Sequence, residues 1–240
     1  MLEADEEIRE PEKQPVFNVP GIILWFLGLM LAFHIVRIML EGSEAGLWML
    51  FTFAFVPLRY AQGLSSLFSD PAAFWSPVTY SFLHGDWTHI LVNSVWLLAF
   101  GSVVARRLGA IHFVTFCITG SIFGAFAHFL SHSDSIIPMI GASAVVSACM
   151  GAAIRFAFPR NGNFSHRVHD LPTQSLLQSF QNRQVIVFTT LWFAINFLFG
   201  IGGEFITGQG QSIAWEAHVG GFLFGLLLFD VFDRKPVNPH

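Results

Sequence analysis

The amino-acid sequence predicts an all-α polytopic membrane protein, a six-transmembrane-helix bundle with an interfacial first loop. Three observations predict it. The 240 residues are 53% apolar or aromatic and only 12% charged, about half the charge of a soluble domain, and the mean hydropathy is +0.58. Six stretches approach the roughly 20 apolar residues that a helix needs to cross about 30 Å of hydrocarbon. The 28 phenylalanines and seven tryptophans suit lipid-facing and interfacial positions. This composition excludes a disordered chain and an ordinary cytosolic enzyme. A net charge of -4 with no strongly basic face excludes a nucleic-acid binder. Cys117 and Cys149 lie far apart inside apolar runs, so neither a disulfide framework nor a zinc knuckle is implied.

The expected spans cover about 20–40, 88–106, 109–131, 136–156, 184–203 and 213–230. The first carries Arg37 near its end, close enough to snorkel; the sixth carries Glu216 near its start and Asp230 near its end. The uncharged run Ala45–Leu58 has only 14 residues and is expected to lie in the interface. Residues 1–19 read as a solvated tail, since the first 15 hold six of the sixteen acidic residues. That tail lacks the basic-then-apolar pattern of a signal peptide. Residues 20–233 form the membrane domain, with a polar loop over 159–183, and 234–240 form a second tail.

Orientation follows from the basic residues. With the N-terminus inside, the inner segments hold Arg9, Lys13, Arg106, Arg107, Arg155, Arg160, Arg167, Arg183, Arg234 and Lys235, ten of twelve; Arg37 and Arg59 remain. The positive-inside rule therefore places both tails in the cytoplasm, in keeping with an even number of spans.

Spans two, four and six then all run from outside to inside. Polar groups inside a membrane are costly and are functional candidates by default. His89 and Asn93, at i and i+4, share one face near the outer end of span two. Ser143 lies near the outer end of span four and His218 near that of span six. A hydroxyl, two imidazoles and an amide thus stand at one depth. Small residues extend below two of them: Ser147 and Gly151 under Ser143, Gly221 and Gly225 under His218. Such stripes let helix backbones approach closely, which would bring the hydroxyl within reach of the imidazole. The imidazole can then take the serine proton and activate it for attack on a carbonyl. His89, the Asn93 amide and the Ser143 N–H are candidate donors to the resulting oxyanion, favoured by the start of helix four. Glu216 stands two residues from His218 and so points elsewhere around the helix, leaving a Ser-His dyad.

A lone serine among small residues is most often packing, and a lone buried histidine is often structural; the constellation, not any one member, carries the reading. His84 lies in the loop before span two and is read as support. His34, His112, His128 and His132 occur singly and are read as structural or interfacial.

At these residues the chain resembles the rhomboid family of intramembrane serine proteases. The likeness runs over about 75–233: Trp75, Thr79 to Gly85, His89 to Asn93, Gly141-Ala142-Ser143-Ala144, and Ala217-His218-Val219-Gly220-Gly221. The resemblance implies Ser143 as nucleophile, His218 as general base, and His89, Asn93 and the Ser143 amide as the oxyanion hole. Gly141, Gly221 and His84 would support them. It implies transmembrane protein substrates, no metal and no organic cofactor, Ala45–Leu58 in a half-submerged first loop, and 204–212 capping the site. The six-span form suggests a bacterial plasma membrane, with the site toward the outer face. Three departures stand out. Ala144 replaces the usual glycine, Trp75 is followed by Ser76 and not arginine, and Ser147 stands where some relatives stack an aromatic ring on the histidine.

Other chemistries lack their residues. There is no His-Glu-x-x-His for a zinc protease, and Asp230 is the one candidate for an aspartyl type. A transporter or channel would want charges along a midplane pathway. The alternative from another class is a non-catalytic relative that binds membrane helices and directs their folding or degradation.

Overall fold

The computed structural model describes residues 19–61, 63, 70–158, 171–207 and 214–233. Among them every regular element is helical, and Phe55 and Met139 form an isolated antiparallel bridge. In chain order the α-helices are α1 (Gly21–Met39), α2 (Glu44–Phe53), α3 (Ala72–Thr79), α4 (Trp87–Leu108), α5 (Ala110–Ser131), α6 (Ser143–Ile154), α7 (Leu176–Phe180), α8 (Arg183–Thr207) and α9 (Trp215–Phe232). Two 3₁₀ turns, Pro57–Tyr60 and Tyr80–Phe82, join the early elements.

Four of these helices, α1, α4, α5 and α9, are long and apolar enough to cross a membrane, and they coincide with expected spans one, two, three and six. The protein is an integral membrane protein. In α4 the regular pattern opens into a π turn at Leu97–Gly101, where a Cβ on Gly101 would stand 2.8 Å from the Leu97 side chain. The fifth expected span falls on α8.

The fourth differs from expectation. Helix α6 has only 12 residues, about 18 Å at 1.5 Å per residue, and residues 136–142 lead into it as irregular chain. Burial explains why so short a helix is stable. Every residue of α6 except Ser143 is buried, so its surroundings are protein, the condition under which broken helices occur at membrane depth.

Helix α6 forms the axis of the core. Its most extensive packing is against α9, which in turn packs along α5. Small residues permit this. A Cβ on Gly221 would collide with the Ala144 carbonyl, one on Gly225 with the Ala148 carbonyl, and one on Gly151 with the backbone of Phe222. Backbone-to-backbone approach of this kind replaces the hydrophobic drive that lipid cannot supply between helices.

The first loop is ordered by polar bonds to α3. Ser43 caps α2 by accepting from Gly46 N–H at 3.1 Å. Leu47, Trp48 and Phe51 of α2 are exposed while Met49 is buried. Trp75 Nε1 donates to Thr52 O at 2.9 Å, and Thr79 Oγ1 to Phe53 O at 2.8 Å. Arg59 occupies the middle. It pairs with Asp70 at 2.6 Å and donates to Ser76 Oγ at 3.1 Å, Ala54 O at 3.2 Å and Phe51 O at 2.6 Å. Where the family resemblance expects an arginine at position 76, a serine receives a guanidinium from elsewhere in the same loop.

At the opposite end, Arg107 pairs with Asp233 at 2.6 Å and Arg155 with Asp230 at 2.7 Å. Asp230 is thus a partner of Arg155, twelve residues along α9 from His218. The expected tails apart from residue 19, the first half of the 159–183 loop (159–170) and residues 208–212 of the 204–212 cap lie outside the described residues; residues 204–207 continue α8.

Candidate active site

The chain turns sharply before α6, and Gly141 makes the turn possible. Its φ of +121° is a conformation that side-chain-bearing residues rarely adopt. Four hydrogen bonds hold this strap. Met139 exchanges bonds with Phe55, Gly141 N–H donates to Tyr80 O at 3.0 Å, and Ala142 N–H donates to His84 Nε2 at 3.4 Å. Ser143 follows as the first residue of α6, where N–H groups lack intrahelical acceptors and the dipole favours negative charge.

A Cβ built on Gly141 would stand 2.6 Å from His89 Nε2 and 3.8 Å from Ser143 Oγ. The imidazole of α4 and the hydroxyl of α6 therefore converge on one glycine. His89 is oriented from its own helix start. Asp86 caps α4 by accepting from His89 N–H at 2.8 Å, and Gly85 N–H donates to His89 Nδ1 at 3.4 Å. With Nδ1 accepting, the ring proton is assigned to Nε2, the nitrogen beside Gly141. Arg37 of α1 donates to the Gly85 carbonyl and braces the same turn.

His84 is fully buried. Its Nδ1 faces Phe82 O at 3.3 Å while Nε2 accepts from Ala142, a pairing that requires the neutral ring. Burial first, and the neighbouring His89 second, push its pKa down to about 3. It is a positioning residue for the strap that carries Ser143. Asn93 is buried, and its Nδ2 donates to His89 O at 3.0 Å; this leaves one amide N–H without a bond on its own helix.

His218 lies in the first turn of α9. Its Nδ1 meets Asn196 Oδ1 of α8 at 2.5 Å, and Asn196 Nδ2 donates to Trp192 O at 2.8 Å. The second bond fixes which way the amide points, so Oδ1 is the acceptor and His218 Nδ1 carries the proton. Nε2 keeps its lone pair, as a general base needs. Asn196 thus fixes the His218 tautomer and ring orientation as a neutral acceptor.

Among the described residues, no hydrogen bond joins Ser143 Oγ to His218. Their helices approach at backbone level: the Ala144 carbonyl lies against Gly221, and a Cβ on Gly124 of α5 would be 2.5 Å from Ala144 Cβ and 3.0 Å from Ala217 O. The same contacts locate the Ala144 methyl group. It is fully buried against Gly124 and so occupies space on the α5 side of α6.

Of the residues expected from sequence, His89 and Ser143 both face Gly141, His84 and Asn93 bond to the strap and to His89, and Gly221 sets the approach of α9. Asn196 is the addition. A lone asparagine in an otherwise apolar span was its sequence signal, but nothing local connects position 196 to position 218.

The family model of the Rhomboid domain matches residues 71–234, and the chain belongs to the rhomboid family. It is 29% identical over 154 residues to Rhomboid protease GlpG of Yersinia pestis (strain Pestoides F), covering 64% of this chain and 46% of that protein. The same figures hold for Rhomboid protease GlpG of Yersinia pseudotuberculosis serotype O:3 (strain YPIII). RHOMBOID-like protein 9, chloroplastic, of Arabidopsis thaliana is 33% identical over 97 residues, 40% of this chain and 21% of the relative. The chain spans about half the length of the GlpG relatives it matches.

Proposed function

We propose that this protein is an intramembrane serine endopeptidase that cleaves transmembrane segments of other membrane proteins near the outer face of a bacterial plasma membrane. The observation that supports it best is the convergence of His89 Nε2 and Ser143 Oγ on Gly141, beside a His218 whose Nδ1 is held by Asn196. In this reading the membrane domain has six spans, α6 and α8 completing the four long helices, and both tails are cytoplasmic.

Ser143 Oγ attacks the scissile carbonyl carbon while His218 Nε2 takes the hydroxyl proton. The oxyanion is stabilised by His89 Nε2–H, the free Asn93 amide N–H and the Ser143 N–H. The imidazolium returns its proton to the departing amine. A water molecule, deprotonated by the same Nε2, then hydrolyses the acyl-enzyme and restores Ser143. A helical substrate hides its carbonyls in i→i-4 bonds, so glycine, proline or polar residues near the cut should favour cleavage by weakening the helix. The resemblance to rhomboids suggests a small side chain before the scissile bond.

The test compares wild type with Ser143→Ala in detergent or liposomes, using a transmembrane-segment fusion, gels and mass spectrometry, with a chelator present. One chelator-resistant cut near the outer end of the segment, absent from the variant, is the expected result. Equal cleavage by both would remove Ser143 from the chemistry. No cleavage by either, with the fusion still co-purifying, would favour a non-catalytic relative that binds membrane helices.

A further inference from the structure

Beside the candidate active site is a second cluster that the proposed reaction does not use. His128 and His132 stand at i and i+4 near the end of α5, and Glu216 lies on the first turn of α9. The two imidazoles stack with centroids 4.6 Å apart and planes 21° from parallel, so their edges face the same way. Both present Nδ1 to the carboxylate of Glu216, His128 to Oε2 at 3.5 Å and His132 to Oε1 at 3.8 Å.

Those separations are too long for hydrogen bonds, which fall at about 2.7–3.2 Å for nitrogen and oxygen. Both Nδ1 atoms are buried and have no hydrogen-bond partner. Buried ring nitrogens aimed at a carboxylate without bonding to it are unusual, because buried polar groups are nearly always satisfied. The spacing suits a different partner. A tetrahedral ion with ligands about 2.1 Å away holds its donor atoms about 3.4 Å apart. One donor atom from each of the three residues can be chosen so that all lie within 4.8 Å of one another. Closing the widest gap asks for a small rotation, which His132 can supply: it follows the last helical residue, and its side chain is 43% exposed. The same exposure opens a route for an ion from the aqueous side.

We propose that His128, His132 and Glu216 bind a divalent transition-metal ion, zinc being the best fit, and so clamp the end of α5 to the start of α9 two residues before His218. Two imidazoles and one carboxylate select zinc, cobalt, nickel or copper over magnesium or calcium, which prefer all-oxygen ligands. Two histidines at i, i+4 on one helix face are a recurrent zinc-binding pair. A fourth position is left for water. The ion has no role in the serine chemistry; its effect is on the position of the helix that carries His218.

The experiment titrates Co²⁺ into the purified full chain in detergent, following the visible absorption of a tetrahedral site, with Zn²⁺ as competitor. One saturable equivalent is expected, displaced by Zn²⁺. His132→Ala and Glu216→Gln should each weaken it by about tenfold or more. His132 is half-exposed at a helix end, so its variant tests the site without threatening the fold; an unchanged elution volume checks this. Zn²⁺ should also raise the melting temperature of wild type and leave that of His132→Ala unmoved. The proposal is overturned by no saturable absorption, by binding undiminished in both variants, or by binding lost in His89→Gln while retained in His132→Ala. None of these readouts depends on proteolysis.

Discussion

Gly221→Ala tests whether the approach of α9 to α6 sets the distance between base and nucleophile. A Cβ at 221 would stand 2.9 Å from the Ala144 carbonyl carbon and 3.1 Å from its Cα, closer still to the oxygen, whereas ordinary contact begins at 3.4 Å. The obstacle is backbone, which has no rotamer to escape into. Helix α9 must therefore withdraw at this level by at least half an ångström, and by about 1 Å to clear the oxygen. His218 is one turn away and moves with it. A misplacement of about 1 Å costs on the order of 100-fold in rate when geometry is the source of catalysis, and overpacking a close-packed core costs about 1–3 kcal/mol. The assay is kcat/KM on a transmembrane-segment fusion, paired with thermal melts of the detergent-solubilised protein. Gly28→Ala is the control, since a Cβ there meets nothing within 4 Å; it should leave both readouts unchanged. A Gly221→Ala variant with wild-type melting temperature and kcat/KM within twofold would refute the packing argument.

Three further outcomes follow from the same structure. Asn196→Ala frees His218 Nδ1 and the tautomer it selects, so kcat should fall about tenfold or more at unchanged KM, with an altered pH–rate profile and a normal melting curve. Arg59→Ala strips donors from Ser76, Ala54 O and Phe51 O; about 1–3 kcal/mol of stability should be lost by thermal melting, toward the lower end because the Asp70 carboxylate is 45% exposed. His84 gives a pH dependence. Burial lowers its pKa to about 3, so an unfolded chain takes up a proton near pH 6.5 that the folded chain refuses. Stability contributed by His84 is complete above about pH 6.5 and declines as pH falls toward 3. Melting curves of His84→Asn should therefore show a shallower acid slope than wild type, and an identical slope would contradict the burial account.

Much of the architecture is legible because membrane burial writes itself into composition. Spans one, two, three and six coincide with four apolar helices, since an exposed backbone in hydrocarbon leaves a chain almost no alternative to a helix. The glycine and serine stripes were equally readable, because small-residue spacing of three or four is a local property of one helix. The short α6 was not readable. Residues 136–142 are as apolar as a span, and only the turn at Gly141, held by Tyr80 O and His84, ends the helix at Ser143. The loop arginine shows the same limit. Position 76 lacks a guanidinium in sequence, yet Arg59 delivers one from seventeen residues earlier.

Composition, hydropathy and motif spacing suffice to identify a helical membrane protein of the rhomboid family and to single out its polar residues. Hydropathy and residue spacing are additive along a chain, so they survive without coordinates. The pairings come from packing: His89 and Ser143 beside Gly141, His218 with Asn196, and His128 and His132 with Glu216. Each joins residues on different helices, and which faces meet depends on how the bundle packs, a property that no single helix contains.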